Sequence, residues 1–335
     1  MDLTEAGCDC TRDGVVHYQM KMNPYKGITD SLNTPVLFLI FNRPETTQQV
    51  FDTIRAAAPE DLYIVGDGPR KDHPEDILQC RQAREIATKV DWDCRVHTLF
   101  REENLGCGNA VSSAINWFFA HVPCGIILED DCIPDPSFFG FCQSLLQYYE
   151  DNNRVMMISG TNFLENQPGS NTSYYFSRYY PLWGWASWQR AWRLYDREMV
   201  RWPEFRTSSH LSSIFQDEQI VQFLDEMYQA CYEKKIDTWD IQWSFTCLLH
   251  HGLCAIPSFN LISNIGFTGA HANGKRSKQH NLPRISLDTQ RLVHPIDVLP
   301  ASTIERELIR SIIPRLSFRE RGYNNLKRIA GKFLS

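Results

Sequence analysis

Three consecutive carboxylates, Glu129-Asp130-Asp131, are the residues whose types and spacing point most directly to chemistry. They follow the apolar run Ile126-Ile127-Leu128, which predicts that they stand at the end of a buried strand. Adjacent acids repel one another there and are costly to remove from water. A divalent cation, Mg²⁺ or Mn²⁺, would relieve that repulsion and also hold substrate phosphates. The alternative is a solvated acidic turn, since Pro134 and Pro136 indicate a loop directly afterwards.

Polar residues also follow two other predicted strands. Asn42 and Arg43 come after the apolar run at 36–41, and Asp67 lies in the turn after the run at 62–65. Because the carboxyl ends of parallel strands meet at one edge of a sheet, these side chains are expected to lie near the acidic triplet.

A glycine-containing segment opens the helix predicted at 109–120. Asn104, Gly106 and Asn109 lie where backbone amides at a helix N-terminus can face anionic or hydroxyl groups of a ligand. The alternative is that Gly106 and Gly108 only shape the turn into that helix.

Apolar runs alternate with helical patterns from Pro35 to Ile158, which predicts an α/β fold with a doubly wound sheet. Ligands of such sheets bind beyond the carboxyl ends of the strands. The predicted strands are 36–41, 62–65, 94–100, 125–128 and 155–158, and the predicted helices are 46–57, 77–90, 109–120 and 138–149.

Composition excludes several classes of protein. The hydrophobic content of 43% is that of an ordinary globular protein, and the net charge of −6 does not suit a nucleic-acid partner. No apolar run reaches the roughly 20 residues of a membrane span, and residues 1–10 do not resemble a signal peptide. Eleven cysteines scattered through predicted core segments favour reduced thiols, and therefore a cytoplasmic location.

The segment 128–139, Leu-Glu-Asp-Asp-Cys-Ile-Pro-Asp-Pro-Ser-Phe-Phe, resembles the Glu-Asp-Asp motif of N-acetylglucosaminyltransferase I and its bacterial relatives. The resemblance extends over residues 35 to 272. It implies a GT-A fold, a mixed sheet with an acceptor lobe, and transfer of a sugar from a nucleotide-diphosphate donor, with Mn²⁺ or Mg²⁺ as cofactor.

The same resemblance implies roles for individual residues. Asp131 would bind the metal, while Asp130 and Glu129 would contact the ribose and the transferred sugar. Asn42, Arg43 and Asp67 would line the nucleotide pocket, for uridine in those relatives.

Asp240 is the candidate base that takes the proton of the acceptor hydroxyl in an inverting transfer. The dipeptide Trp239-Asp240 resembles the setting of the family's catalytic aspartate. The alternative is that Asp240 caps the helix that begins near Ile241. Asp237 is a second candidate for the base, and Asp196 a third.

Aromatic residues and one histidine complete the expected site. Trp185 and Trp239 are predicted to face a sugar, and the other tryptophans to pack in the core. His271 is a candidate ligand of the metal or the diphosphate, although an isolated histidine more often hydrogen-bonds within the fold.

The chain is predicted to have an N-terminal extension at 1–33 and a catalytic domain at 34–300. The domain would comprise a donor lobe at about 34–160 and an acceptor lobe at about 161–300. The basic amphipathic tail at 301–335 is expected either to touch a membrane surface, which suits a lipid-linked glycan acceptor, or to pack on the domain.

Two other functions remain open. A sugar nucleotidyltransferase would carry a glycine-rich basic loop after its first strand, where this chain has Asn42-Arg43-Pro44-Glu45. A GT-A module that binds sugar nucleotides or glycans without turnover is the other alternative.

Overall fold

The structure is a computed structural model that describes residues 8–10, 16–18, 32–164, 171–266 and 282–313. The strands are β1 (Cys8–Cys10), β2 (Val16–Tyr18), β3 (Val36–Ile40), β4 (Asp61–Gly66), β5 (Arg95–Phe100), β6 (Cys124–Glu129), β7 (Cys132–Pro134), β8 (Val155–Ser159), β9 (Tyr174–Ser177), β10 (Trp185–Trp188), β11 (Leu253–Pro257) and β12 (Ile262–Asn264). The helices are α1 (Pro44–Ala57), α2 (Glu75–Ala87), α3 (Cys107–His121), α4 (Pro136–Tyr148), α5 (Gln189–Trp192), α6 (Trp202–Thr207), α7 (His210–Phe215), α8 (Glu218–Tyr232), α9 (Asp240–Leu249) and α10 (Ser302–Ile312).

The central sheet has eight strands and is mixed, with its parallel pairs mostly among the first four strands of its order. Its order is β5-β4-β3-β6-β10-β8-β11-β9, with β3 parallel to both β4 and β6 and with β4 parallel to β5. All residues of β3 and β8 are buried, as expected of continuous apolar runs covered on both faces. The predicted α/β class is therefore confirmed.

The register of the sheet brings the polar strand ends together. Leu39 of β3 pairs with Glu129 of β6, and Ile40 pairs with Gly66 of β4. The residues that follow these strands therefore share one edge, as the sequence predicted.

A second, two-stranded sheet closes this edge. β12 runs antiparallel to β7, and Cys132 pairs with Asn264. The backbone N–H of Ile265 also donates to the carbonyl of Asp131 at 2.9 Å. The end of the acidic triplet thus lies beside a segment more than 130 residues later in the chain.

Both halves of the chain build the same central sheet. Strand β10 pairs antiparallel with β6 and with β8, so that Trp185 lies opposite Ile127 on one side and opposite Ser159 on the other. The aromatic segment after residue 171 is therefore joined to the donor half by backbone hydrogen bonds.

The helix α10 is packed on the domain by its apolar side. Leu308 and Ile309 are 0% exposed, and the buried Glu305 forms an ion pair with the partly exposed Arg178. Residues 302–312 of the tail therefore pack on the domain, which was the alternative to membrane contact. Residues 314–335 and most of the extension at 1–33 lie outside the described residues. In the described ranges, helices that are both long and apolar enough to cross a bilayer are absent.

Candidate functional site

One guanidinium group, that of Arg43, binds two of the three acids of the triplet. Arg43 Nη2 lies 2.5 Å from Asp130 Oδ1, and Arg43 Nη1 lies 2.9 Å from Asp131 Oδ2. Asp130 Oδ2 accepts a further hydrogen bond of 3.0 Å from the backbone N–H of Phe41. Arg43 therefore binds the two aspartates directly, which the prediction of a nucleotide contact did not include.

The electrostatics show an excess of negative charge. Burial and the charges of Asp131 and Asp130 raise the pKa of Glu129 to about 8, although Arg43 opposes the shift. Burial also raises the pKa of Asp130. Burial alone would lower the pKa of Arg43, but Asp130 and Asp131 raise it above its ordinary value. With all three carboxylates ionised, Arg43 would balance one of three negative charges, and the raised pKa values reflect that imbalance, which an additional cation would relieve.

The other side of Asp131 is formed by residues that the sequence prediction did not single out. Asp131 Oδ1 accepts weak hydrogen bonds from the thiol of Cys132 and from Asn264 Nδ2, at 3.3 and 3.4 Å. A Cβ atom at Gly266 would overlap Asp131 Oδ2 and lie 3.0 Å from Arg43 Nη1. The absence of a side chain at Gly266 therefore keeps open the space beside the carboxylate.

Asp131 and its neighbours suit a divalent cation that takes most of its ligands from water and from the phosphates of its substrate. Within the described ranges no three His, Cys, Asp or Glu side chains converge as a metal site. Mg²⁺ commonly binds one or two protein carboxylates and completes its coordination shell with water and phosphate oxygens. Asp131 can supply such a carboxylate. Binding of such a cation to Asp131 Oδ2 would compete with Arg43.

Asp67 is bound to the turn before α3. Asn104 Nδ2 donates to Asp67 Oδ2 at 2.9 Å, and the backbone N–H of Leu105 donates to the same carboxylate at 3.1 Å. Burial raises the pKa of Asp67, and the hydrogen bond from Leu105 offsets part of that rise. Gly106 precedes α3 with φ 76°, and Asn109 is exposed on the first turn. The structure thus brings Asp67, Asn104 and Gly106 together.

Asn42 belongs to a hydrogen-bond network that could not be predicted from the sequence. Its Nδ2 donates to Asp76 Oδ1 at 2.7 Å, and Arg70 Nε donates to Asp76 Oδ2 at 2.6 Å. The hydrogen bond from Arg70 lowers the pKa of the buried Asp76 to about 2. Arg70 also lies over the ring of Phe41, at 5.6 Å. Asn42 and Arg70 therefore fix the loops after β3 and β4 against each other.

Asp240 begins α9 and lies near the acidic triplet. Its Oδ1 accepts hydrogen bonds from Thr238 Oγ1 and from the backbone N–H of Ile241, the latter at 2.7 Å. Burial raises the pKa of Asp240 to about 6, although both hydrogen bonds oppose the shift. The charge of Asp240 in turn contributes to the raised pKa of Glu129. Asp240 is the first residue of α9, the N-cap position is taken by Trp239, and no side chain caps the helix, so the alternative role of Asp240 as a cap is not seen. A carboxylate with a pKa of about 6 can act as a base near neutral pH.

Asp237 and Asp196, the second and third candidates for the base, differ in their contacts. Asp196 accepts from the backbone N–H groups of Glu198 and Val200, so it organises its own turn. Asp237 lies against the start of α3, where Cβ atoms at Gly106 or Gly108 would press on its carboxylate.

The two tryptophans predicted to face a sugar are buried. Trp185 is 1% exposed and Trp239 is 3% exposed, and their rings stack on each other at 5.6 Å. Neither ring face is open to a ligand, because they pack in the core like the neighbouring tryptophans. His271 lies outside the described residues.

A model of glycosyl transferase family 2 matches residues 36–215, which is 180 of the 335 residues. The chain belongs to glycosyl transferase family 2. This family has the GT-A fold, so the predicted GT-A class and glycosyl transfer in general are confirmed.

No curated protein matches this family 2 glycosyltransferase. Two solved structures are similar to it over part of its length. UDP-glucose pyrophosphorylase complexed with UDP-glucose is 16% identical, with a TM-score of 0.25, over 43% of this chain and 62% of that chain. Mouse xyloside xylosyltransferase 1 in its apo form is 12% identical, with a TM-score of 0.31, over 64% of this chain and 81% of that chain. The chain thus spans less than two thirds of the pyrophosphorylase.

Proposed function

We propose that this enzyme transfers a sugar from a nucleotide-diphosphate donor, a UDP-sugar, to a hydroxyl group of a glycan or a lipid-linked glycan. The reaction depends on Mn²⁺ or Mg²⁺ and inverts the anomeric centre, with Asp240 as the base. Membrane contact through 314–335 would bring a lipid-linked acceptor to the site.

One observation carries this proposal. Asp240, whose pKa is raised to about 6, lies within electrostatic range of Glu129 at the carboxyl end of β6. This proximity supports an acidic donor edge with a separate base beside it, which is what direct displacement at a sugar carbon requires.

The chain's own residues have distinct parts in the proposed step. Asp240 takes the proton from the acceptor hydroxyl while that oxygen forms a bond to the anomeric carbon. The bond between the anomeric carbon and the donor phosphate oxygen breaks at the same time, and the nucleoside diphosphate leaves with the electron pair. Arg43, once released from Asp131, is positioned to bind the leaving diphosphate.

Asp131 would hold the divalent cation, and Asn264 and Cys132 orient its carboxylate. A bound cation supplies charge neutralisation for the diphosphate. Asp67 and Asn104 would bind the nucleoside, in the pocket that Asn42 supports through Asp76.

The test is hydrolysis of a panel of nucleotide sugars by the full chain with Mn²⁺, without acceptor. Slow hydrolysis of one donor, abolished by a chelator and reduced at least a hundredfold in Asp131→Ala, is expected. The anomer released at the start of the reaction, read by NMR, decides between inversion and retention.

A matched control is Asp288→Ala, which changes an exposed aspartate outside the site and should hydrolyse the donor at the wild-type rate. If no donor is bound or hydrolysed under any metal condition, the enzyme proposal is wrong and a sugar-binding module replaces it.

A further inference from the structure

The helix α2 bonds to the loops that follow β3, β4 and β5 through two of its polar residues. Asp76 lies in its first turn, and Arg84 lies eight residues, about two turns, later. Residues at multiples of this four-residue spacing share one face of a helix. Asp76 is 0% exposed and Cys80, midway between the two, is also buried, so this face packs on the domain.

Asp76 ties the loop after β3 to the loop after β4. Its carboxylate accepts one hydrogen bond from Asn42 Nδ2, at 2.7 Å. It accepts three more from Arg70, from the backbone N–H at 3.2 Å, from Nε at 2.6 Å and from Nη2 at 3.0 Å. Because a buried carboxylate is costly without its partners, Asp76 holds the two loops in one arrangement.

Arg84 ties the loop after β4 to the loop after β5. Its Nη2 donates to the carbonyl of Asp67 at 3.0 Å and to the carbonyl of Arg101 at 2.6 Å. The guanidinium lies over the ring of Phe100, 5.1 Å from its centroid. A Cβ atom at Gly66 would lie 3.3 Å from Arg84 Nε. Arg84 therefore packs on the ends of both strands, and one of its nitrogens joins the two loops that leave them.

These loops carry the residues proposed above to bind the nucleoside. Asp67 begins the loop after β4, and Asn104, which donates to Asp67 Oδ2, lies three residues after Arg101. Loops that are already held in the binding arrangement cost little affinity to order. Loops that adopt it about a tenth of the time would bind about tenfold more weakly.

We propose that Asp76 and Arg84 are positioning residues for the nucleotide, which hold the loops after β3, β4 and β5 at the spacing that a nucleoside diphosphate requires. Neither residue touches the donor in this role, since each acts through the loops to which it bonds. The inference rests on the proposed function, because it presumes that these loops bind the nucleotide. Changes at either residue alter donor affinity and leave the chemical step intact.

The test is calorimetric titration of the full chain, with Mn²⁺ present, against UDP, GDP, CDP and ADP. For the diphosphate that the wild type binds, Asp76→Asn removes the charge that holds Arg70 and should weaken binding about tenfold or more. Arg84→Lys keeps the positive charge but loses the planar group, and should also weaken binding. The matched controls are Asp72→Asn and Arg81→Lys, at exposed positions, which should stay within about twofold of wild type.

Kinetics and metal binding separate positioning from a general loss of structure. In donor hydrolysis, Asp76→Asn and Arg84→Lys should raise KM about tenfold while kcat at saturating donor stays within about threefold of wild type. The affinity for Mn²⁺ without nucleotide should also be unchanged, because Asp131 keeps its surroundings. If Asp76→Asn does not fold, Arg84→Lys carries the test alone.

The inference is overturned if nucleotide affinity is unchanged in every one of these two variants that folds. It is also overturned if kcat falls as far as KM rises, or if the affinity for Mn²⁺ falls as far as the affinity for the nucleotide. In each of these cases nucleotide binding by the wild type leaves the proposed function standing. A wild type that binds no nucleoside diphosphate refutes the proposed function and the inference together.

Discussion

At the scale of single residues, Arg43 contacts the carboxylate that we propose as the ligand of the divalent cation, Asp131. Its guanidinium bridges Asp130 and Asp131, and it is the positive charge that balances part of the acidic triplet. The sequence indicated that Arg43 belonged to the site, because it follows a buried strand. It could not indicate the partners, since those lie 87 and 88 residues further along the chain.

This arrangement predicts that Arg43→Gln binds Mn²⁺ more tightly than the wild type in the absence of nucleotide. Loss of a competing charge-assisted hydrogen bond, about 1.5–3 kcal/mol, corresponds to a gain of about tenfold or more. Calorimetric titration with Mn²⁺ measures this directly. Arg81→Gln, a change at an exposed arginine of α2, is the control and should leave the affinity unchanged. Weaker Mn²⁺ binding in Arg43→Gln would show that Arg43 supports the cation site and does not compete for it.

The second prediction at this scale concerns pH. Asp240, the proposed base, can accept a proton only when it is ionised, and burial raises its pKa to about 6. The kcat/KM for transfer should therefore be constant above that pH and fall about tenfold per unit below it. Asp240→Asn should lose at least a hundredfold at neutral pH, whereas Asp237→Asn should keep the wild-type profile. A profile that stays flat down to about pH 4 would remove Asp240 from the role of base.

At the scale of secondary-structure elements, α3 and the loop before α9 fit closely together. A Cβ atom at Gly108 would overlap the carboxylate of Asp237 and lie 2.8 Å from the carbonyl of Thr238. The hydroxyl of Tyr195 also donates to the carbonyl of Trp239 at 3.2 Å, directly before Asp240. Gly108, which the sequence indicated only as shaping the turn into α3, therefore allows the loop before Asp240 to lie close to this helix.

We predict that Gly108→Ala lowers the rate of transfer about tenfold or more, because small displacements of a catalytic group are costly. Alanine is the better helix former by about 1 kcal/mol, so a loss of activity without a lower melting temperature would locate the effect in the position of Asp240. Adding Asp237→Ala removes one of the two obstructing groups and should restore part of the rate. Wild-type kcat in Gly108→Ala would contradict the proposed fit.

At the scale of the whole molecule, the sequence predicted the sheet and the edge that carries the site, but not how distant segments complete it. Alternating apolar runs and polar strand ends are local signals, which is why Glu129, Asp67 and the α/β class could be read from them. Gly266 lies beside Asp131 because β12, which ends two residues before it, pairs with β7. Such long-range pairings leave no periodic trace in a single sequence.

The helix α10 shows the same dependence on long-range packing and leads to the last prediction. In the sequence, its apolar residues were equally consistent with contact to a membrane and with packing on the domain. In the structure, Leu308 and Ile309 are completely buried. Leu308→Ala should therefore lower the free energy of unfolding by about 2–5 kcal/mol, the usual cost of a large cavity in a core. Arg306→Ala, on the exposed side of the same helix, should change it by about 0.5 kcal/mol or less. Chemical denaturation of both variants compares the two effects, and equal stability of Leu308→Ala and the wild type would mean that α10 is not part of the folded domain in solution.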